Sequence, residues 1–600
     1  MPAELLSAQP QEGDNPKGKA DPILLSLFAN RFMSIAEAMG RALQQTSIST
    51  NIKEKLDYSC AIFGPNGDLI ANAPHLPVHL GSMSFAVRYQ ASLLKDNLHE
   101  GDVILTNHPV AGGSHLPDIT CITPVFKDGK IVFFTASRGH HADIGGILPG
   151  SMPPSSKTIY DEGGQIKSFK AVDKGKYQHD ELKRLLVDEP AKYEGCSGSR
   201  CFSDVESDLK AQIAANNKGV SLINLLTKEY GLDTVVEYME HIRDNAESAV
   251  RDLLRQVAKE RGKSLQAVDH LDDGTPIELS VEINDEEGSA VFDFSGTGPE
   301  IYGNLNAPVS VSYSAIIYCL RAMVDQDIPL NQGCLTPITV KLPPGSCLSS
   351  SDTAAVVGGN VCTSQRVTDV VLKAFNAAAA SQGCCNNLTF GSGGKNDKGE
   401  NVDGFGYYET IAGGSGAGPS WEGTSAVHTH MTNTRITDPE VLERRYPTIL
   451  HQFSIREGSG GKGQHDGGDG VIREIEFLEP IQCSILSERR VYQPYGLEGG
   501  GAGQCGSNLW LKKARKEDGD EAGGDRIINL SGKATVKMGR GDRIIVETPG
   551  GGAWGLAGEE KRTKQKTWHG RHDPRGSHFE RTAAQEGVWY SLQSCLCVSA

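Results

Sequence analysis

Between Asn107 and Gly146 the chain reads NHPVAGGSHLPDITCITPVFKDGKIVFFTASRGHHADIGG, and no other stretch limits the fold so tightly. In GGSHLPD two glycines give an unhindered approach, while Pro117 stiffens the backbone between His115 and Asp118 and removes one amide donor. ITPVF and IVFFTASR, joined by the KDGK turn, carry the β-branched and aromatic residues of a β-hairpin around an Asp-Gly turn signal. The hairpin folds the chain back, so His140 and His141 of SRGHHADIGG can reach the neighbourhood of His115 and Asp118. Two His and one Asp would give a divalent ion mixed nitrogen and oxygen ligands with a position left open for water. The same residues have plainer uses: a loop His is commonly a hydrogen-bonded surface or cap residue, and an Asp after Pro commonly forms a turn. The spacing is less diagnostic than HExxH or paired CxxC.

Around this stretch the apolar pattern alternates between helical and strand periods. Apolar residues from Pro22 to Thr50 recur near helical spacing, and YSCAIF, GPNGD and LIANA form a second hairpin. Asp57 stands at the start of its first strand, where it either faces a loop ligand or caps the preceding turn. His75 and His79 flank Pro77, which keeps them off a shared helical face, so both are expected in structural or substrate-shaping roles. Asp204 to Lys263 reads as two long helices with apolar stripes. From Ala267 the composition turns β-rich, and in FDFSGTGP Asp293 and Ser295 either meet substrate or phosphate or close a turn. VVGGNVCTSQRVTDVVLKAF places a helix N-terminus near Thr363 or Ser364, where Arg366 either binds a substrate carboxylate or transferred phosphate or bridges to another part of the fold. His428 and His430, two apart on an expected strand, form a rival metal pair. The glycine runs contain no GxxxxGK[ST], so no ATP site is expected within this sequence.

These patterns predict an α+β protein: a large mixed multi-layer fold with long amphipathic helices, β-hairpins and a β-rich carboxy-terminal region. The expected units are a disordered 1–20, a metal-site α+β domain with a helical segment at 21–266, a mixed β/α domain at 267–446, a β-rich domain at 447–555, and a disordered or aberrant tail at 556–600. With 600 residues the chain can bury several cores. A formal net charge of −16 argues against nucleic-acid and anionic-membrane partners, which need a basic face. No uninterrupted apolar run approaches the roughly 20 residues of a membrane span, and the first residues lack an apolar h-region, so the expected location is the cytosol. The 14 cysteines are scattered, many in apolar contexts, which suits reduced buried thiols.

DYSCAIFGPNGDLIANAPHLPVHLGSM (57–83), GGSHLPD, SRGHHADIGG, FDFSGTGP, HTHMTNTRITDPEVLERRYP (428–447) and GGGAWG (550–555) occur in an order that resembles the hydantoinase B/5-oxoprolinase family, over about Asp21 to Gly555. The resemblance implies the hydrolytic half of an ATP-dependent lactamase of glutathione metabolism, which opens 5-oxo-L-proline to L-glutamate after a hydantoinase A-type ATPase domain or subunit has phosphorylated the lactam. It implies a divalent metal, Mn or Zn by its ligand set, on His115, Asp118 and His140, with Asp57 as fourth ligand and His141 as proton carrier or support. An oligomer is expected. A hydantoinase or other lactamase subunit, an acetone-carboxylase-like subunit, and a non-catalytic scaffold fragment are the alternatives.

Overall fold

The computed structural model describes residues 20–558 except 74, 327, 397 and 516–523. Apart from Ala20 and residues 556–558, the expected disordered segment and tail lie outside the described residues. The fold is α+β, with four sheets and long helices.

The first sheet is antiparallel in the order β2-β1-β5-β4-β3-β6-β7, from β1 (Tyr58–Phe63), β2 (Leu69–Asn72), β3 (Val103–Thr106), β4 (Asp118–Lys127), β5 (Lys130–His140), β6 (Phe169–Asp173) and β7 (Lys176–Tyr177). Its faces follow the period of two. Cys60 and Ile62 pack with the helices Pro22–Thr46 and Phe202–Tyr230, while Ala61 and Phe63 face the helix Pro77–Leu93. By length and composition Pro22–Thr46 could cross a membrane, contrary to the expectation from uninterrupted runs. Its Phe28, Phe32, Met39 and Leu43 are instead fully buried in the core beside β1.

The second sheet, β11-β10-β9-β8, is built from β8 (Ser264–His270), β9 (Pro276–Asn284), β10 (Ser289–Asp293) and β11 (Ile338–Lys341), with only β10 and β11 parallel. It shares a core with the helices Val309–Met323 and Ser364–Ala374. The two long helices expected over Asp204 to Lys263 are Phe202–Tyr230 and Leu232–Arg261, broken at Gly231.

The remaining strands are β12 (Asn387–Lys395), β13 (Asn401–Glu409), β14 (Thr448–Arg456), β15 (Gly470–Phe477), β16 (Ile481–Leu486), β17 (Ser507–Lys512), β18 (Arg526–Asn529), β19 (Lys533–Met538) and β20 (Arg543–Glu547). They form the sheets β13-β12-β16-β19 and β14-β15-β20-β17-β18, whose facing residues, among them Phe390, Tyr407, Ile475, Cys483 and Val546, make one core. Because β12 pairs with β16, the sheet runs across the boundary expected at 446/447. The glycine-rich turns here lie backbone on backbone: Gly551 N–H donates to Gly468 O at 2.8 Å, and a Cβ on Gly551 would stand 1.9 Å from Ser415 O.

Candidate metal centre

The β4–β5 hairpin sets the site. Its loop is Asp128-Gly129, both at positive φ (50° and 75°), the two-residue turn whose twist suits a tight hairpin. Together with a bulge between Val125 and Phe126, the turn gives a register that pairs Asp118 directly with His140. The loop before β4 is held by Asn107, whose Nδ2 donates to Leu116 O and Gly164 O at 2.7 and 2.9 Å. Gly113 is required there, because a Cβ would lie 1.9 Å from Asn107 O. Asp57 arrives from the next strand over, and its carbonyl accepts from His140 N–H at 3.0 Å. His115, Asp118, His140 and Asp57 are all buried and line one cavity of about 20 Å³, room for about one water-sized group.

Asp118 is the centre of the polar contacts. Its Oδ1 lies 2.9 Å from His115 Nε2 and 3.2 Å from His140 Nδ1. Its Oδ2 accepts from Ser114 Oγ at 2.6 Å and Asn360 Nδ2 at 3.0 Å, and lies 3.1 Å from His79 Nε2. Burial alone would push this carboxyl up, but the imidazoles of His115, His79 and His140 hold it well below the usual carboxylate range. Asp57 goes the other way, pushed well above that range by burial and by the nearby Asp118. Burial takes the His140 imidazole down to about 4, so it is neutral near pH 7, as a metal ligand must be.

The unpartnered atoms show what the arrangement can hold. Despite its 2.9 Å approach to Asp118, His115 is out of hydrogen-bond alignment, and neither of its ring nitrogens has a partner. His140 Nε2 is unpartnered as well. A buried polar atom left in this state costs roughly 1–3 kcal/mol, and burial beside Asp118 raises the proton affinity of the Asp57 carboxyl, which adds to that cost. A divalent cation relieves both, by accepting imidazole lone pairs and neutralising the carboxylates. His115, Asp118 and His140 offer ligand atoms within 4.8 Å of one another, and among the described residues no other such group of His, Cys, Asp or Glu occurs. The donor set therefore fits a metal ion.

Other candidates are placed elsewhere. His141 does not line the cavity; its Nε2 is 2.9 Å from Gln212 Oε1 on the helix Phe202–Tyr230. Arg366 is fully buried and meets Asp269 at 3.2 Å, Glu488 at 3.4 Å and Asp272 at 3.6 Å, so three carboxylates occupy the charge expected to bind substrate. The helix around it begins a turn early, through the wide turn Gly359–Thr363, so the amides at Thr363 and Ser364 are not a free N-terminus. His428 and His430 do not lie on a strand: His430 sits at φ 51°, its Nδ1 3.2 Å from Tyr318 Oη. Asp293 accepts from Ser295 N–H at 2.9 Å and closes a turn.

Further residues hold the ligands, and of these sequence reasoning singled out only His79. His79 lies between Asp118 and Ser59 Oγ, at 3.1 Å from each. Arg138, fully buried, donates to Thr120 Oγ1 at 2.7 Å and to Gly112 O at 2.9 Å, and also meets Ser114. Tyr408 stacks on His140 at 4.1 Å between centroids. The buried Lys55, brought down to about 7 by burial, donates to Asn51 Oδ1 at 3.1 Å. The family motif HLPVHLG was the available signal for His79, and nothing local pointed to Asn360 or Tyr408.

A cavity closed by imidazole and carboxylate groups, set on an antiparallel hairpin of an α+β protein, defines a candidate metal centre of an enzyme class that uses mixed nitrogen and oxygen ligands. The comparisons give the particular family. The chain belongs to the hydantoinase B/oxoprolinase family, which it matches over residues 21–557. It is 56% identical over 550 residues to 5-oxoprolinase 1 of Arabidopsis thaliana, a match covering 89% of this chain and 42% of the relative. It is 55% identical over 545 residues to 5-oxoprolinase of Saccharomyces cerevisiae, with the same coverage of 89% and 42%. The chain thus spans about two fifths of the length of these curated relatives. In structure it is similar to the ATP-dependent caprolactamase from Pseudomonas jessenii, with TM-score 0.77 and 26% identity over 90% of this chain and 92% of that one.

Proposed function

We propose that this chain is the metal-dependent hydrolytic half of an ATP-dependent 5-oxoprolinase, which opens 5-oxo-L-proline to L-glutamate. The observation that carries the reading is the convergence of unpartnered imidazole nitrogens with the Asp57 and Asp118 carboxyls in one small cavity of a chain this similar to proteins named 5-oxoprolinase. His115, Asp118 and His140, with Asp57 as fourth ligand, would hold the ion. Two imidazoles and two carboxylates suit Mn²⁺ or Zn²⁺ better than Ca²⁺ or Mg²⁺, which favour all-oxygen sites. When bound, the ion supplies Lewis acidity toward an acyl oxygen and toward water.

The chain's own residues keep that site in one geometry. Ser114, Asn360 and His79 fix Asp118, Arg138 backs Ser114, and Tyr408 fixes the plane of His140. His141, turned to Gln212, supports β5 and does not carry protons in the cavity. A lactam is resonance-stabilised and resists direct attack, so ATP-driven activation by a hydantoinase A-type domain or subunit precedes ring opening, in the cytosol. The test combines this chain with such an ATPase half and follows glutamate formation from 5-oxo-L-proline, alongside elemental analysis of the purified chain. The reading expects ATP-dependent glutamate and close to one ion per chain. Full turnover by protein stripped of metal, or none in any reconstituted mixture, would refute it.

A further inference from the structure

The wall of the cavity facing the ligands holds one polar group that nothing in the fold uses. Around the cavity, Thr410 Oγ1 is bonded to Thr434 Oγ1, Tyr408 Oη accepts from Asn387 at 2.9 Å, Asn360 donates to Asp118, and His79 is held at both nitrogens. Leu76, Val78, Val361 and Met431 are apolar. Outside the ligand set, Thr432 is the lining residue whose polar atom is recorded as buried and unpartnered: the residue is 6% exposed and its Oγ1 makes no hydrogen bond. Buried hydroxyls find partners in nearly all cases, because leaving one bare destabilises the fold, so this one calls for an explanation.

The backbone around Thr432 points the same way. Ala426 and His430 both occupy the left-handed region, at φ 56° and 51°, which side chains other than those of Gly and Asn rarely adopt. The fold nevertheless pins the segment: Met431 O accepts from Val78 N–H at 3.2 Å, and Gln365 Nε2 donates to Thr429 O at 2.9 Å. Held so, Thr432 lines the same small cavity as His115 and His140.

We propose that Thr432 is a substrate-contacting residue whose hydroxyl hydrogen-bonds the acyl oxygen of a cyclic amide at the moment that group enters the cavity. The inference rests on the 5-oxoprolinase reading and adds to it a residue on the substrate side of the site. A threonine hydroxyl can donate to that oxygen, and its methyl group packs with the apolar lining.

The test titrates 5-oxo-L-proline into the metal-loaded chain by calorimetry, for the wild type, Thr432→Val and Thr432→Ser, with thermal midpoint and metal content taken on the same samples. Thr432→Val keeps the shape and removes the hydroxyl. It should raise the dissociation constant about five- to tenfold, the scale of one buried hydrogen bond, with metal content unchanged and a thermal midpoint equal to or above wild type. Thr432→Ser should bind within about twofold of wild type. If Thr432→Val binds as tightly as wild type, or loses thermal stability along with binding, the hydroxyl is not a substrate contact, and the 5-oxoprolinase reading still stands. If the wild type itself fails to bind, this proposal falls, while the 5-oxoprolinase reading is decided separately by glutamate formation in the mixture with the ATPase half.

Discussion

Two of the buried clusters of charged residues in this protein are built on opposite terms. In the first, Arg366 and Arg489 face Asp269, Asp272, Asp369 and Glu488. Each terminal guanidinium nitrogen has an acceptor, including Arg489 on Asp269 at 2.7 Å and on Asp369 at 2.8 Å, and only the Nε atoms are left over. Burial pushes the Asp269 carboxyl up, yet Arg489 and Arg366 bring it below the usual range. In the second, Asp57 and Asp118 share a cavity with His115, neither of whose ring nitrogens has a hydrogen-bond partner, and His140, whose Nε2 has none, and Asp57 is driven well above the usual range. A cluster whose guanidinium donors are met by carboxyls from within holds segments distant in sequence together. A cluster left with surplus negative charge and surplus lone pairs is shaped for a cation from outside.

The sharpest way to break this comparison is to remove a cation from the matched cluster. Arg489→Met leaves Asp269 and Asp369 buried without their partner, and deleting one member of a buried ion pair costs about 3–5 kcal/mol. The urea midpoint should fall accordingly while metal content stays at the wild-type level. A variant that keeps its stability, or that loses its metal while folded, would show that the two clusters do not have separate roles.

The ligand cluster should respond in the reverse sense. His115→Ala and His140→Ala should abolish metal retention, read by elemental analysis, and leave the far-ultraviolet circular dichroism unchanged. Asp57→Asn should weaken metal retention about 10- to 100-fold, the scale on which supporting interactions at metal sites act. It should also make the metal-free protein more stable, because it removes one of two mutually repelling buried carboxylates. If Asp57 only capped the turn before β1, the result would be a loss of about 1 kcal/mol with metal content intact.

What was legible in the sequence was local. The Asp-Gly turn marks the hairpin that brings His115, Asp118 and His140 into one cavity from forty consecutive letters, but the exact pairing of Asp118 with His140 also needs the bulge between Val125 and Phe126, which shifts the register by one and has no signal in the turn. The long helices and the hairpin of β9 with β10 follow from apolar period in the same way. Arg366 could not be resolved locally, because both of its readings needed partners that lie far along the chain: Asp269 is 97 positions away and Glu488 is 122. Asn360 reaches Asp118 across 242 positions, and the stacking of Tyr408 on His140 depends on how separate sheets pack. The pairing of β12 with β16 across 446/447 was out of reach for a related reason, since it does not depend on the composition between them.

The smallest effect lies outside both clusters, at His75, and it separates burial from metal binding as a source of pH sensitivity. The ring of His75 packs against Gly40, where a Cβ would come within 2.7 Å, and its Nδ1 accepts from Cys60 N–H at 3.0 Å, so that nitrogen carries no proton. Burial, with His79 nearby, takes its pKa from the ordinary 6.5 down to about 3. Between those values the unfolded chain binds a proton that the folded protein refuses, so this residue's contribution is complete above about pH 6.5 and is lost as pH falls toward 3. One such proton corresponds to about 1.4 kcal/mol of stability per pH unit. His140 and His428, each brought down to about 4 by burial, steepen the wild-type slope, so the informative quantity is the difference between two proteins. His75→Asn places an amide oxygen where Nδ1 accepts the Cys60 hydrogen bond and has no proton to gain. Urea midpoints of metal-free wild type and His75→Asn, taken from pH 6 to 4.5, should diverge by that one-proton slope, with the variant the less sensitive. Parallel slopes would mean that His75 is not held neutral by the fold.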